Sequence, residues 1–340
     1  MTPPRPIEII GGGLAGLSLG LALRRAGVPV TLHEAGSYPR HRVCGEFITG
    51  LADATIARLG LGPYLADALL HHEVAWFLDG RLARRQRLPA PARALSRHRL
   101  DARLAQALVD AGGILHSQAR VIRAPGEPGC VFTTGRRRGA GQWLGLKIHA
   151  RNLPLDCDLE LHLGGESYIG LTRVEAGRVN VSGLFRRREL AAKGPALLLA
   201  YLRAAKLTAL ADRLAGADFD ETSFTAVAAV AFDRQVSDQG RLALGDACAM
   251  IPPFTGNGMA MAFQSAELAL DPLLAYAGHA MEWPETCRAT QAALRQRFRV
   301  RLASADLLHP FLLRPVRQRW LTGLVRAHLL PLRPLYSLLH

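Results

Sequence analysis

The sequence predicts an α/β protein in which a Rossmann-like dinucleotide-binding unit carries an inserted antiparallel sheet and is followed by a helical C-terminal segment. Three observations carry that expectation. Ile7 to Glu34 reads as strand, glycine turn, helix, strand and acid, in that order. Gln142 to Arg186 switches to a period of two, and Gly256-Asn257-Gly258 opens a second apolar helix late in the chain.

In the first unit, Ile7, Ile9 and Ile10 form an apolar strand that stops at Gly11-Gly12-Gly13, and Leu14 to Gly27 then carries apolar residues at helical spacing. Gly11, Gly13 and Gly16 fall on G-x-G-x-x-G. The first permits a tight turn, the second a close backbone approach to a pyrophosphate, and the third close packing of helix on strand. The free N–H groups and positive dipole end of the helix suit phosphate. A second strand, Val28 to His33, ends at Glu34, 18 residues after Gly16, where a carboxylate accepts from an adenosine ribose without a 2′-phosphate. The motif by itself suits FAD and NAD alike.

With 340 residues the chain is long enough for a large core and more than one layer. At 49% hydrophobic residues it has a globular composition, and no uncharged apolar run approaches the roughly 18 residues of a membrane helix. Met1 to Pro6 leads straight into the first strand, so no signal peptide is expected. Cys44, Cys130, Cys157, Cys248 and Cys287 are scattered and lack metal-ligand spacing, which predicts a reducing cytoplasm, no disulfide framework and no metal. The net charge of +14 suits nucleic acid, anionic lipid or an anionic ligand, or simply an arginine-rich composition. With no nucleic-acid motif and aromatics at 6%, nucleic acid is not the expected partner.

After Glu34 the segment Ser37 to Gly50 places Arg40, His41 and Arg42 around Cys44-Gly45-Glu46. Glycine fingerprint, acid and an arginine-rich loop ending in Cys-Gly-Glu resemble flavoproteins of the geranylgeranyl reductase type, relatives of the aromatic hydroxylases and flavin halogenases. The resemblance implies FAD, with Arg42, Cys44 and Gly45 along the flavin; a small buried residue is the other reading of Cys44. Leu51 to Leu70 reads as helix, Glu73 to Leu88 as a hairpin about Asp79-Gly80, and Ser96 to Ala111 as a helix capped by Ser96. Its Arg97-His-Arg-Leu-Asp101 start matches the family's R-x-x-hydrophobic-D, which implies Arg97 near the ribityl phosphate region; the other reading is a solvated arginine.

Gly113 to Val121 and Cys130 to Thr134 are strands by composition, the second ending in Thr134-Gly135-Arg136, a turn that in the family closes over the flavin. The period-two stretch, with Leu144, Leu146 and Ile148 alternating with Trp143, Lys147 and His149, predicts a meander with one buried face. In the family such a sheet roofs the substrate pocket. Lys193 to Gly216 is helical, and Thr225 to Phe232 and Leu242 to Leu244 are short strands.

Gly245 to Ala262 carries Gly245-Asp246, then Pro252-Pro253, then Gly256-Asn257-Gly258-Met259 opening a helix. That is the flavin signature of the resembled superfamily. It implies Asp246 on the ribityl chain, and Gly256, Asn257, Gly258 and Met259 at a helix start facing the flavin. Leu268 to Arg301 continues as helix. From 306 to 340 the tail mixes leucines and Trp320 with Arg314, Arg317, Arg319, Arg326 and Arg333, broken by prolines at 310, 315, 331 and 334. Such a segment suits an anionic membrane surface or a C-terminal cap.

The expected organisation is a discontinuous FAD-binding domain at 1–60, 93–140 and 225–275, a substrate domain at 61–92 and 141–224, and a helical segment at 276–340. The expected function is an NAD(P)H-driven flavin monooxygenase of an apolar, aromatic or polyketide-like compound, with NAD(P)H binding transiently. Reduction of prenyl double bonds and flavin binding without turnover are the alternatives. Candidate catalytic positions are Cys44 and Pro253. A cytoplasmic protein, peripheral to the membrane, with a small apolar substrate follows from the same reading.

Overall fold

The structure is a computed structural model, and it describes every residue except 1, 125, 137–140, 231, 233–240, 327–331 and 340. In chain order the strands are β1 Ile7–Ile10, β2 Val30–His33, β3 Phe47–Ile48, β4 Leu69–Leu78, β5 Arg81–Ala94, β6 Ile114–His116, β7 Cys130–Phe132, β8 Trp143–Arg151, β9 Leu159–Gly164, β10 Ser167–Val174, β11 Arg178–Arg186, β12 Asp218–Val230 and β13 Leu242–Ala243. The helices are α1 Leu14–Arg25, α2 Asp53–Leu59, α3 Gly62–Leu65, α4 Arg97–Asp110, α5 Pro195–Ala204, α6 Thr208–Ala215, α7 Gly258–Ala277, α8 Trp283–Leu313, α9 Pro315–Arg326 and α10 Leu332–Leu339.

Two sheets result. The parallel one runs β13-β7-β1-β2-β6, with β1 flanked by β2 and β7. Its strands are short and apolar because helices cover them, and α1, α4 and α7 pack into the same core. The second runs β12-β8-β11-β10-β9-β4-β5-β3, antiparallel except where β4 meets β9. It draws strands from Phe47–Ile48 at one edge and reaches Val230 at the other, so the strand expected over 225–232 starts at Asp218 and extends the meander.

The single buried face expected of that meander is a correction. Both faces are buried. Leu144, Leu146, Ile148, Ile169 and Val181 pack under α5 and α6. The opposite face, which carries Lys147 and His149, is covered by the loop after β2, and both side chains are fully buried. On β9 the polarity inverts: Glu160 and His162 lie on the outer face, where Glu160 pairs with His162 and with Arg213 of α6.

Helix boundaries shift for local reasons. The helix read over 51–70 becomes α2 and α3, separated at left-handed Gly60, and β4 begins at Leu69. The helix read over 193–216 divides at Lys206, whose φ is +64°. The helix read over 268–301 ends at Ala277 and restarts at Trp283, while the strand read over 113–121 shrinks to Ile114–His116. Pro310 does not break the chain but sits inside α8. That helix has 31 residues, and it touches β13 of the parallel sheet as well as β9 and β10 of the antiparallel one. Leu329, Leu330 and Pro331 of the tail lie outside the described residues.

Candidate active site

The site is built from two glycine turns facing one cavity of about 1020 Å³. At the end of β1, Gly11 has φ +114°, and a Cβ there would run into the Thr133 carbonyl and stand 2.7 Å from Thr134 N. Only glycine fits. Gly13 precedes α1 with no side-chain cap, and a Cβ on it would meet nothing within 4 Å, so the helix start opens onto the cavity. Gly16 does not line the cavity. A Cβ there would meet the Gly11 carbonyl and Thr133 Oγ1, which makes it the packing glycine.

Glu34, 5% exposed, ends β2 and closes this turn. Its Oε2 accepts from Gly12 N at 2.8 Å and Arg42 Nη2 at 3.4 Å, and its Oε1 from Gly36 N and Arg40 Nη2, both at 2.8 Å. Burial acts to raise its pKa, but Arg42, Arg40 and the two backbone N–H groups outweigh it and hold the carboxyl below its ordinary value. Glu34 therefore braces the glycine loop as well as facing the cavity. Glu34→Arg is expected to lower retention of FAD at least tenfold, because two arginines and two backbone donors lose their acceptor. Flavin fluorescence during dialysis checks it, and unchanged retention overturns it.

Arg42 and Arg97 share the fully buried Asp101: Arg42 Nε lies 3.1 Å from Oδ2, and Arg97 binds both oxygens at 2.7 and 2.8 Å. Arg97 is thus a fixed cavity wall and not a solvated arginine. Cys44 and Gly45 line the same wall. Asn180 Nδ2 donates to the Cys44 carbonyl at 3.0 Å, and burial pushes the Cys44 thiol pKa up despite the nearby Arg97. A thiol whose pKa is raised is disfavoured as a thiolate nucleophile.

The second turn follows β13. Gly245, φ +60°, lies so near α1 that a Cβ would stand 3.2 Å from Ala15 Cβ. Asp246 beside it opens onto the cavity: its side chain is accessible there, yet protein surrounds it and burial raises its pKa against the pull of Arg97, Arg136 and Arg42. Among the described residues its carboxylate has no hydrogen-bond partner. Pro253, Gly256, Gly258 and Met259 line the cavity, and α7 starts there without a side-chain cap. Gly135 also lines it. Asn257 does not; its fully buried amide donates to Leu339 O at 2.8 Å and so pins α10.

Beyond the Cys44 and Pro253 loops the cavity continues across the inner face of the antiparallel sheet, where Gly145, Gly170, Thr172 and Ser182 leave room. Trp76, Leu161, Tyr168 and Phe254 supply an aromatic and aliphatic wall, and Leu308, Phe311 and Leu312 of α8 close it. The Tyr168 ring, 4% exposed, meets Phe254 edge-on at 6.3 Å. Strand alternation places Tyr168 on this face and His162 on the other, where its ring stacks on Phe77 at 4.3 Å. The α8 contribution has no sequence signal, since only the fold brings residues 308–312 here.

No family model matches the chain. Among solved structures, HpxO of Klebsiella pneumoniae, described in complex with FAD and uric acid, is 16% identical with a TM-score of 0.76, covering 98% of this chain and 96% of that one. The p-nitrophenol 4-monooxygenase PnpA of Pseudomonas putida is 13% identical with a TM-score of 0.76, covering 100% and 97%. PqsL of Pseudomonas aeruginosa, described as a probable FAD-dependent monooxygenase, is 17% identical with a TM-score of 0.70, covering 93% and 98%. The chain has the FAD-dependent monooxygenase fold. By sequence it is similar to menaquinone reductases: that of Mycolicibacterium smegmatis is 27% identical over 127 residues, and that of Mycobacterium tuberculosis 28% over 172. These stretches are 34% and 42% of this chain, and they span 29% and 40% of the relatives' length. In this chain, the two glycine turns and the sheet-lined chamber described above form one continuous space.

Proposed function

We propose that the protein is an FAD-dependent monooxygenase of an apolar, aromatic substrate. The observation that carries this is the single cavity joining both glycine turns to an aromatic-lined chamber. FAD fits the residues present. Gly13, Gly45, Gly135 and Gly258 each face open space, two uncapped helix starts aim N–H groups inward, and Asp246 offers an acceptor that opens onto the cavity and has no donor among the described residues. Gly11 and Gly13 would take the pyrophosphate, Glu34 the ribose, Asp246 the ribityl chain, and the α7 start the flavin carbonyl edge. When bound, FAD supplies electron storage and oxygen activation. Around it, the α7 dipole favours negative charge. Tyr168 lines the chamber, and Leu308, Phe311 and Leu312 make its α8 side apolar.

A second reading, reduction of an isolated double bond in a prenyl chain, is favoured by the similarity to menaquinone reductases. NAD(P)H oxidation with and without O2, using aromatic and prenylated test compounds, separates the two. Oxygen-dependent turnover with an oxygenated product is the expected result. Anaerobic turnover with a saturated product moves the assignment to the second reading, and no turnover in either arm leaves a flavin-binding protein.

The substrate is proposed to arrive from an anionic membrane surface. No helix among the described residues is long and apolar enough to cross a membrane. On α9, however, Val316, Trp320 and Leu324 are 69%, 72% and 41% exposed at four-residue spacing, forming an apolar stripe beside α8, which lines the chamber. Arg314 and Arg317 belong to the same segment, each contributing about 1 kcal/mol near anionic lipid. Cosedimentation with anionic vesicles is expected to fall in high salt and after Trp320→Ser. Equal binding to neutral vesicles removes the proposal.

A further inference from the structure

Three side chains distant in sequence meet outside the cavity. His41 in the loop after β2, His149 on β8 and Asp220 on β12 bring one ligand atom each within 4.8 Å of one another. The sheet makes this happen: His149 and Asp220 are register partners, and the irregularity that follows Asp220 in β12 lets the chain turn there. Ser223 Oγ accepts from His149 N at 2.7 Å and donates to Asp220 O at 2.6 Å, which fixes both residues' backbones.

His149 is fully buried. Its Nε2 is 2.6 Å from a carboxylate oxygen of Glu46, also fully buried, while its Nδ1 has no partner among the described residues. Donation from Nε2–H to Glu46 leaves a lone pair on Nδ1 with nothing to accept. A carboxylate holding the far N–H of a histidine is the arrangement that orients and strengthens a metal-ligating imidazole. His41, half-buried, stacks on His98 at 4.4 Å and meets His149 edge-on at 5.1 Å. Its Nδ1 lies 3.0 Å from Lys147 Nζ, which leaves Nε2 as the ligand atom. Asp220 commits Oδ1 to Thr222, through N at 3.2 Å and Oγ1 at 2.6 Å, and keeps Oδ2 available.

We propose that His41, His149 and Asp220 bind one divalent transition metal ion of the zinc type, with water completing a four-coordinate site. Two imidazoles and one carboxylate suit such an ion, and metal–ligand distances of about 2 Å require the three atoms to draw together by up to about 1.5 Å. Glu46 and Asp220 together carry the two negative charges that offset the ion. The ammonium of Lys147, 3.4 Å from Glu46, opposes it. The ion would tie the 41–46 loop to β8 and β12, and because Cys44 and Gly45 of that loop line the cavity, it would set the position of one cavity wall.

The test uses the full chain with its flavin, stripped with chelator and titrated with zinc chloride by calorimetry, with X-ray absorption at the zinc edge on the product. One equivalent is expected, with a first shell of nitrogen and oxygen showing imidazole scattering. Asp220→Asn and His41→Gln, both at partly exposed positions, are each expected to weaken binding at least tenfold, and Lys147→Met to tighten it severalfold. Absence of stoichiometric zinc, sulfur in the first shell, or affinity unchanged in Asp220→Asn and His41→Gln overturns the proposal. None of these readouts depends on the reaction catalysed.

Discussion

Asp246→Ala is expected to give a folded protein that binds FAD at least tenfold more weakly. The wild-type carboxylate lines the cavity, where the surrounding protein raises its pKa, and among the described residues it has no donor to satisfy it. A ligand hydroxyl is the group that fits such an acceptor. Removing the carboxylate leaves that hydroxyl unpaired against the cavity wall, at a cost of about 1–3 kcal/mol. That is roughly tenfold in affinity, or more. Asp246→Asn keeps a carbonyl acceptor and should fall between the two. Titration of the apoprotein with FAD by fluorescence decides it: affinity equal to wild type in Asp246→Ala means that the hydroxyl acceptor is elsewhere.

Gly11→Ala is expected to lower the melting temperature on the order of 10 °C and to abolish flavin retention. Two independent costs combine. A φ of +114° belongs to glycine, and a side chain held there costs about 1–3 kcal/mol. The added Cβ also meets the backbone of Thr133 and Thr134, which cannot yield as a flexible side chain would, and overpacking of that kind costs about 1–3 kcal/mol more. Against a total stability of about 5–15 kcal/mol this is a large fraction. Gly13→Ala is the control, since its Cβ meets nothing within 4 Å of protein. It should melt as wild type does and lose flavin only. If Gly11→Ala melts with the wild type, the backbone contact with Thr133 is not what constrains this turn.

The parts of this molecule that were legible in the sequence are those whose signal is local. The first unit is written within residues 7 to 34, because a glycine turn, a helix and an acid-ended strand each depend on near neighbours. Ser96 was readable as a cap for the same reason, and its side chain accepts from Arg99 N. The inner face of the meander was not readable in the same way. Alternation showed which residues share a face, but Lys147 and His149 read as solvent-facing until the Glu46 loop is seen to cover them and supply the countercharge. Asn257 falls on a cofactor motif, and only the return of the C-terminus to residue 339 shows that its side chain is spent on α10. Pro310 reads as a helix breaker, and tertiary packing overrides it. His309 next to it is buried among Trp143, Tyr168, Phe232 and Phe254, with burial lowering its pKa to about 4.

The length of α8 bears on how the molecule comes apart. A helix of 31 residues is about 46 Å long, enough to run past both sheets. At its middle Arg301 Nη1 donates to Gln264 of α7 at 2.7 Å, and at its far end Leu312 and Leu313 pack with Leu163 and Tyr168 of the meander. Loss of either sheet removes packing neighbours from the same rod. The parallel and antiparallel sheets are therefore expected to unfold in one transition, although topology divides them.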